Sequence, residues 1–294
     1  MASDFENLES QIRATNDKIN ARTGRPLALA ITVGLALGAA LIFSIIFVKA
    51  LFMVFAATLI GFAAYELASA LRIAGRDVPR VPTVIAGLAV VPATFFWLDA
   101  GHWYVTLAGI GVIAVWRIAE LALPSGRASA KDLLLDLGAG AFIMIYVAFM
   151  GGFSVLLTAH DGGQWWTLAF LIVVVSVDVG AYATGLTFGK HPMAPLISPK
   201  KTWEGFAGSV GAALTAGVLL SIFMLHQPWW VGLILGVTMV ATATTGDLAE
   251  SLIKRDLGVK DISTWLPGHG GFLDRVDSSL LSAAAAYALF LIFT

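Results

Sequence analysis

The run WWVGLILGVTMVATATTGDLAE, residues 229–250, carries no charge until Asp247. As an α-helix rising about 1.5 Å per residue, its uncharged part nearly crosses the ~30 Å hydrocarbon core of a bilayer. Lipid offers no partner to a backbone N–H or C=O, and a helix satisfies both within one segment. Two tryptophans open the run, and Glu250, Lys254 and Arg255 stand at or just past its end. It reads as one membrane pass with polar chemistry at one end.

Working outward, the same pattern recurs along the chain. The 294 residues are 58% hydrophobic and 13% charged, whereas soluble domains carry about 25% charged residues. Apolar runs at 27–48, 50–71, 81–98, 103–123, 133–158, 165–189, 204–226, 229–250 and 278–294 predict about nine spans. The expected fold class is therefore all-α, a polytopic transmembrane helical bundle. The fifth span is long enough to tilt or break at Gly151-Gly152. Small residues in EGFAGSVGAALTAGV, within the seventh, predict close helix packing. The expected organisation is a polar tail over 1–25, N-terminal membrane helices over 26–164, and a C-terminal membrane region over 165–294 that carries the chemistry. No cleavable signal peptide is evident, because the first apolar run is too long for a signal core.

With the N-terminus in the cytoplasm, every Lys and Arg of the chain falls on the inner side except Lys49, outside, and Arg117, within a span. This matches the positive-inside bias, and Trp97, Trp103, Trp165, Trp166, Trp229 and Trp230 then fall at outer span ends, as lipid anchors would. The outer connections, DAGH, HDGGQ and HQP, are short and nearly uncharged. The net charge of −1 gives no reason to expect a nucleic-acid partner. With no Cys, disulfides, thiolate nucleophiles and Cys-ligated metals are excluded.

Three inner stretches concentrate polar residues. In SVDVGAYATGLTFGKHPMAPLISPKKTWEG, residues 176–205, Asp178, Tyr182, Gly185 and Gly189 share one helix face, and Lys190, Ser198, Lys200, Lys201, Thr202 and Glu204 follow. A carboxylate within a span usually faces a cavity or a partner; the blander reading is a basic loop with an ion-paired Asp178. GLTFGKH lacks the spacer, the hydroxyl after Lys and the preceding strand of a phosphate loop. In TTGDLAESLIKR, residues 244–255, Asp247, Ser251 and Lys254 share a face, while Glu250 and Lys254 are spaced for an ion pair. Asp247 alone also suits a simple span boundary. In SLIKRDLGVKDISTWLPGHGGFLDRVDS, residues 251–278, Asp274 and Asp277 project together from a helix start, with Arg275 between them. Glycines flank His269 and permit close backbone approach to a ligand. Carboxylates suit a hard cation and arginine suits phosphate, so Mg²⁺ with a nucleotide or polyphosphate answers both. A salt-bridged loop is the alternative. His269 is not needed as a ligand, since Mg²⁺ prefers oxygen.

The stretch from Ser251 to Asp277 resembles the signature of phosphatidate cytidylyltransferases, also called CDP-diacylglycerol synthases: S-x-hydrophobic-K-R, K-D, a turn with H-G-G, then D-R-hydrophobic-D. Ser251, Lys254, Arg255, Lys260, Asp261, Pro267, His269, Gly270, Gly271, Asp274, Arg275 and Asp277 fit it. Residues 178–205 resemble the family's second block. The resemblance implies a multi-span enzyme of the inner membrane, often a homodimer, that joins CTP and phosphatidic acid into CDP-diacylglycerol and pyrophosphate. It implies Mg²⁺ held by Asp247 and Asp274, with a monovalent cation such as K⁺ as a further candidate. On that basis Asp277 is expected to be a third ligand or to orient one, and Lys254, Arg255 and Arg275 to clamp the triphosphate. Lys200, Lys201 and Ser198 are expected on the lipid phosphate or pyrophosphate, and Asp178 and Tyr182 along the headgroup's path. Ser251, Lys260, His269, Gly270 and Gly271 complete the expected substrate-binding set. The rival expectations are a CTP-dependent transferase acting on an isoprenoid or other lipid, and a transporter of ions or phosphorylated solutes.

Overall fold

The computed structural model describes residues 38–123, 128–259, 262–263 and 270–294. The tail over 1–25 and most of the first predicted span lie outside them; the described part of that span is α1 (Gly38–Phe47). Then follow α2 (Lys49–Ile73), α3 (Arg80–Glu120), α4 (Ala130–Ala159), α5 (Gly163–Phe188), α6 (Trp203–Phe223), α7 (Trp229–Asp256) and α8 (Leu273–Phe293). Among the described residues, these seven long helices are apolar enough to cross a membrane. The 41 residues of α3 would extend about 60 Å if straight, twice the hydrocarbon thickness. The helix instead breaks at Leu98, which has φ 50° and ψ −134°. Residues of both limbs, Ile85 and Ala89 on one and Val105 and Val112 on the other, line a single groove. The limbs therefore lie side by side and account for two of the predicted spans.

Two local expectations are corrected. The fifth span, α4, does not break at Gly151-Gly152. Its irregularity is a π-helical turn at Met144–Phe149, and the two glycines are buried contact points, one facing Ile60 and Leu280 and the other the His102 ring. Trp166 is not a lipid anchor: it is 4% exposed and packs edge-on against Phe290, while Trp97, Trp103 and Trp229 are each more than half exposed. The described residues also include a small sheet, a hairpin of β1 (Pro192–Ala194) and β2 (Ser198–Thr202), paired antiparallel between α5 and α6.

Small residues bring α5, α6 and α7 together, as the composition of the seventh span predicts. Gly180 of α5 faces Gly208 and Ala212 of α6, and Gly236 of α7 faces Ala213 and Leu214. At one end of the bundle Arg117, 2% exposed, reaches Asp136 of α4 at 2.9 Å, Asp77 at 3.3 Å and Glu120 at 3.6 Å. The charge that the sequence leaves inside a span is thus paired, as buried charge must be. At the opposite end the Lys49 ammonium donates to the His160 carbonyl at 2.8 Å, at the end of α4.

Candidate active site

The site begins where α7 and α8 cross. A Cβ added to Gly246 would stand 2.5 Å from the Asp277 carbonyl oxygen. Glycine is therefore what lets the two backbones touch here. That contact sets Asp247, the next residue of α7, beside the first turns of α8, which carry Asp274, Arg275 and Asp277. Asp277 lies within electrostatic reach of Asp247, Asp178 and Lys254.

Lys254, two turns after Asp247 on α7, ties the cluster together. Its ammonium sits 2.6 Å from Glu250, which is 1% exposed, and donates to Asp274 at 3.1 Å. The second Asp274 oxygen accepts the Gly271 N–H at 2.9 Å. Gly270 has φ +79°, and a Cβ there would meet this same Asp274 oxygen at 2.6 Å. The double-glycine turn is thus shaped around the aspartate. Ser251 reaches Asp247 with a long contact of 3.4 Å.

The second block arrives from the hairpin. Thr202 caps α6 by accepting the Gly205 N–H at 3.1 Å. Next to it, Lys201 of β2 pairs with Asp247 at 2.5 Å. Arg255 donates to the Ile197 carbonyl at 3.3 Å, a second tie between the hairpin and α7. Asp178 of α5 lies within reach of Asp247, Lys201 and Arg275. The structure thus gathers Asp178, Lys201, Asp247, Ser251, Lys254, Asp274, Arg275 and Asp277 at one place. Lys200 is exposed and Ser198 half-buried on β2. Tyr182 is 72% exposed on the surface of α5 and stands apart from the cluster's hydrogen bonds. Lys260, Asp261, Pro267 and His269 lie outside the described residues.

Two residues of the N-terminal half join this site without having been anticipated. Glu66 of α2 is 2% exposed and accepts the Phe272 and Leu273 N–H groups at 3.0 and 2.9 Å. The signal was available, because a lone carboxylate inside a span is a functional candidate by default. Tyr146 lies in the π-helical turn of α4. Its hydroxyl is buried without a hydrogen-bond partner among the described residues, and Asp277, Glu250 and Asp247 are the charges that act on it. Nothing in a 3.6-residue pattern marks it.

The donor set suits a hard cation. No group of three Asp, Glu or His forms a ready metal cage among the described residues. Mg²⁺ does not need one: it keeps several waters and binds through one or two carboxylates plus substrate phosphates. Asp247 and Asp274 instead each hold a lysine, Lys201 and Lys254 respectively. An ammonium stands where positive charge is already favoured, on a side chain long enough to turn toward a phosphate.

Comparison with known proteins identifies the family. A model of the cytidylyltransferase family matches residues 28–293. The phosphatidate cytidylyltransferase of Mycobacterium bovis is 40% identical over 275 residues, 90% of this chain and 89% of that protein. The Mycobacterium leprae protein of the same name is 38% identical over 280 residues, 91% of this chain and 88% of its own. The one from Haemophilus influenzae is 38% identical over 215 residues, 67% of this chain and 73% of its own. Both polar blocks and all eight described helices fall within the matched region, and the chain belongs to the cytidylyltransferase family.

Proposed function

We propose that the chain transfers the cytidylyl group of CTP to phosphatidic acid, giving CDP-diacylglycerol and pyrophosphate. The observation that carries this reading is 40% identity to a phosphatidate cytidylyltransferase over nine-tenths of both chains. A lipid phosphate oxygen attacks the α-phosphorus of CTP, and the bond to the β-phosphate breaks. The nucleophile is already anionic near neutral pH, so the task is to bring two polyanions together in line and to stabilise the departing pyrophosphate. Asp247 and Asp274 would hold Mg²⁺, with Asp277 beside them; the ion supplies charge neutralisation at the phosphates. Lys201 and Lys254 release their carboxylates and turn to phosphate oxygens. Arg255 and Arg275 complete the grip on the triphosphate, while Lys200 and Ser198 hold the lipid phosphate or the pyrophosphate. Asp178 and Tyr182 border the route of the headgroup. The same reading places the chain in the cytoplasmic membrane with this end facing the cytoplasm, where CTP is dissolved.

Purified protein in liposomes containing phosphatidic acid is given Mg²⁺ and each of the four nucleoside triphosphates in turn. The expected result is a liponucleotide with the mass of CDP-diacylglycerol, formed with CTP. Absence of any liponucleotide, or equal products from ATP and CTP, would overturn the reading.

A further inference from the structure

The first N–H groups of a helix have no partner inside the helix and are usually capped by a side chain of the same segment. The residue that precedes α8, Phe272, makes no such side-chain cap. Its cap comes from Glu66, 206 residues away in sequence. One carboxylate oxygen accepts the Phe272 N–H and the Ser263 hydroxyl, and the other accepts the Leu273 N–H. Four residues before Glu66 on α2, the ring of Phe62 stacks on that of Phe272 with centroids 4.5 Å apart. A Cβ on Gly271 would stand 2.9 Å from Glu66. Helix α2 therefore grips the start of α8 through a charged cap, a stacked ring and a close backbone approach.

This grip decides what Asp274 is free to do. Three successive N–H groups open α8, and two carboxylates share them: Asp274 takes that of Gly271, and Glu66 takes those of Phe272 and Leu273. Without Glu66, two unsatisfied donors at the positive end of a helix dipole would stand within a turn of Asp274, the nearest carboxylate on the same chain segment. Asp274 would be drawn back onto the helix end and away from Lys254 and the cluster.

We propose that Glu66 is a positioning residue for the transfer centre, anchoring the start of α8 so that Asp274 stays available to a divalent cation. The role rests on the reading of Asp274 as a metal ligand. Because Glu66 lies in α2, the N-terminal half of the chain takes part in building the site.

The test uses the full chain in detergent or nanodiscs, with Mn²⁺ alone as probe, its uptake read by paramagnetic resonance and amide exchange read over residues 270–277. In Glu66→Gln, Mn²⁺ affinity is expected to fall at least about tenfold, the loss of one charge-assisted hydrogen bond. Exchange at Phe272 and Leu273 should accelerate even without metal. Ser263→Ala, which leaves the carboxylate in place, should weaken Mn²⁺ about two- to threefold, and it decides the matter if Glu66→Gln does not fold. A purely structural role would lower the melting temperature while leaving the Mn²⁺ affinity of the folded protein unchanged. Mn²⁺ uptake within twofold of wild type in both variants would therefore overturn the role given to Glu66. A wild-type chain that takes up no Mn²⁺ would instead sink the metal reading on which that role rests.

Discussion

Asp247 pairs with Lys201, and Asp274 shares Lys254 with Glu250, so replacing either aspartate by Asn does two things at once. It removes a candidate cation ligand and takes one carboxylate partner from an ammonium beside the place where the cation would sit. Cytidylyl transfer by Asp247→Asn or Asp274→Asn is expected to fall at least about 100-fold at saturating Mg²⁺, the scale of losing one major electrostatic stabiliser, about 3 kcal/mol. Near-normal turnover by both would refute the assignment. Tyr146 gives a prediction of the opposite sign for stability. Its hydroxyl is buried without a partner among the described residues, and a buried orphan of this kind is costly. Tyr146→Phe should raise stability by up to about 1 kcal/mol, read as a higher melting temperature in the same detergent; a clear drop would reveal a partner for the hydroxyl. The aspartates were legible in the sequence because i, i+3 and i, i+4 spacing gathers them on faces of α7 and α8. Glu66 was legible only as a lone carboxylate within a span, with nothing to say what it meets, and Tyr146 not at all, since each joins the cluster only through tertiary packing.

The fold-back in α3, the cap of α6 and the crossing of α7 with α8 differ in how plainly the sequence announces them. The fold-back was legible as a polar interruption, DAGH, between two apolar runs. The small residues of α6 foretold close packing, which Gly208 and Ala213 provide. The π-helical turn of α4 was not legible, because an i→i+5 turn leaves no period of its own, and the neighbouring Gly151-Gly152 pair drew the expected break a few residues too far along. Glycine identity alone also conceals which glycines matter, and the structure separates them. A methyl at Gly246 meets the Asp277 carbonyl oxygen at 2.5 Å, whereas one at Gly211 of α6 meets nothing within 4 Å. Gly246→Ala is therefore expected to destabilise by about 1–3 kcal/mol through overpacking and to depress transfer by prising Asp247 from α8. Gly211→Ala should be neutral or stabilise by up to about 1 kcal/mol, because alanine is the better helix former. Thermal melts of the two variants side by side check this, and equal stability would show that α7 and α8 do not meet as described.

At the scale of the whole molecule, the polar groups divide between two ends. One end has the Trp97, Trp103 and Trp229 surface, the Lys49–His160 contact and the exposed Asp161. The other has the buried Arg117 network, the hairpin and the acidic cluster. The proposed reaction needs the second end to face the cytoplasm, as the positive-inside bias of Lys and Arg predicts, because CTP cannot cross the bilayer and the triphosphate must enter from its own side. The chain has no cysteine, so one introduced thiol reports one place without background. Leu196 at the hairpin tip is 93% exposed, and Asp161, between α4 and α5, is exposed at the opposite end. A membrane-impermeant maleimide added to intact spheroplasts of an expression host should label Asp161→Cys and spare Leu196→Cys. Inverted vesicles should give the converse, and detergent should expose both. Labelling of Leu196→Cys in intact spheroplasts would turn the cluster to the outside, away from its nucleotide, and the cytidylyl-transfer account would then fail however well the residues converge.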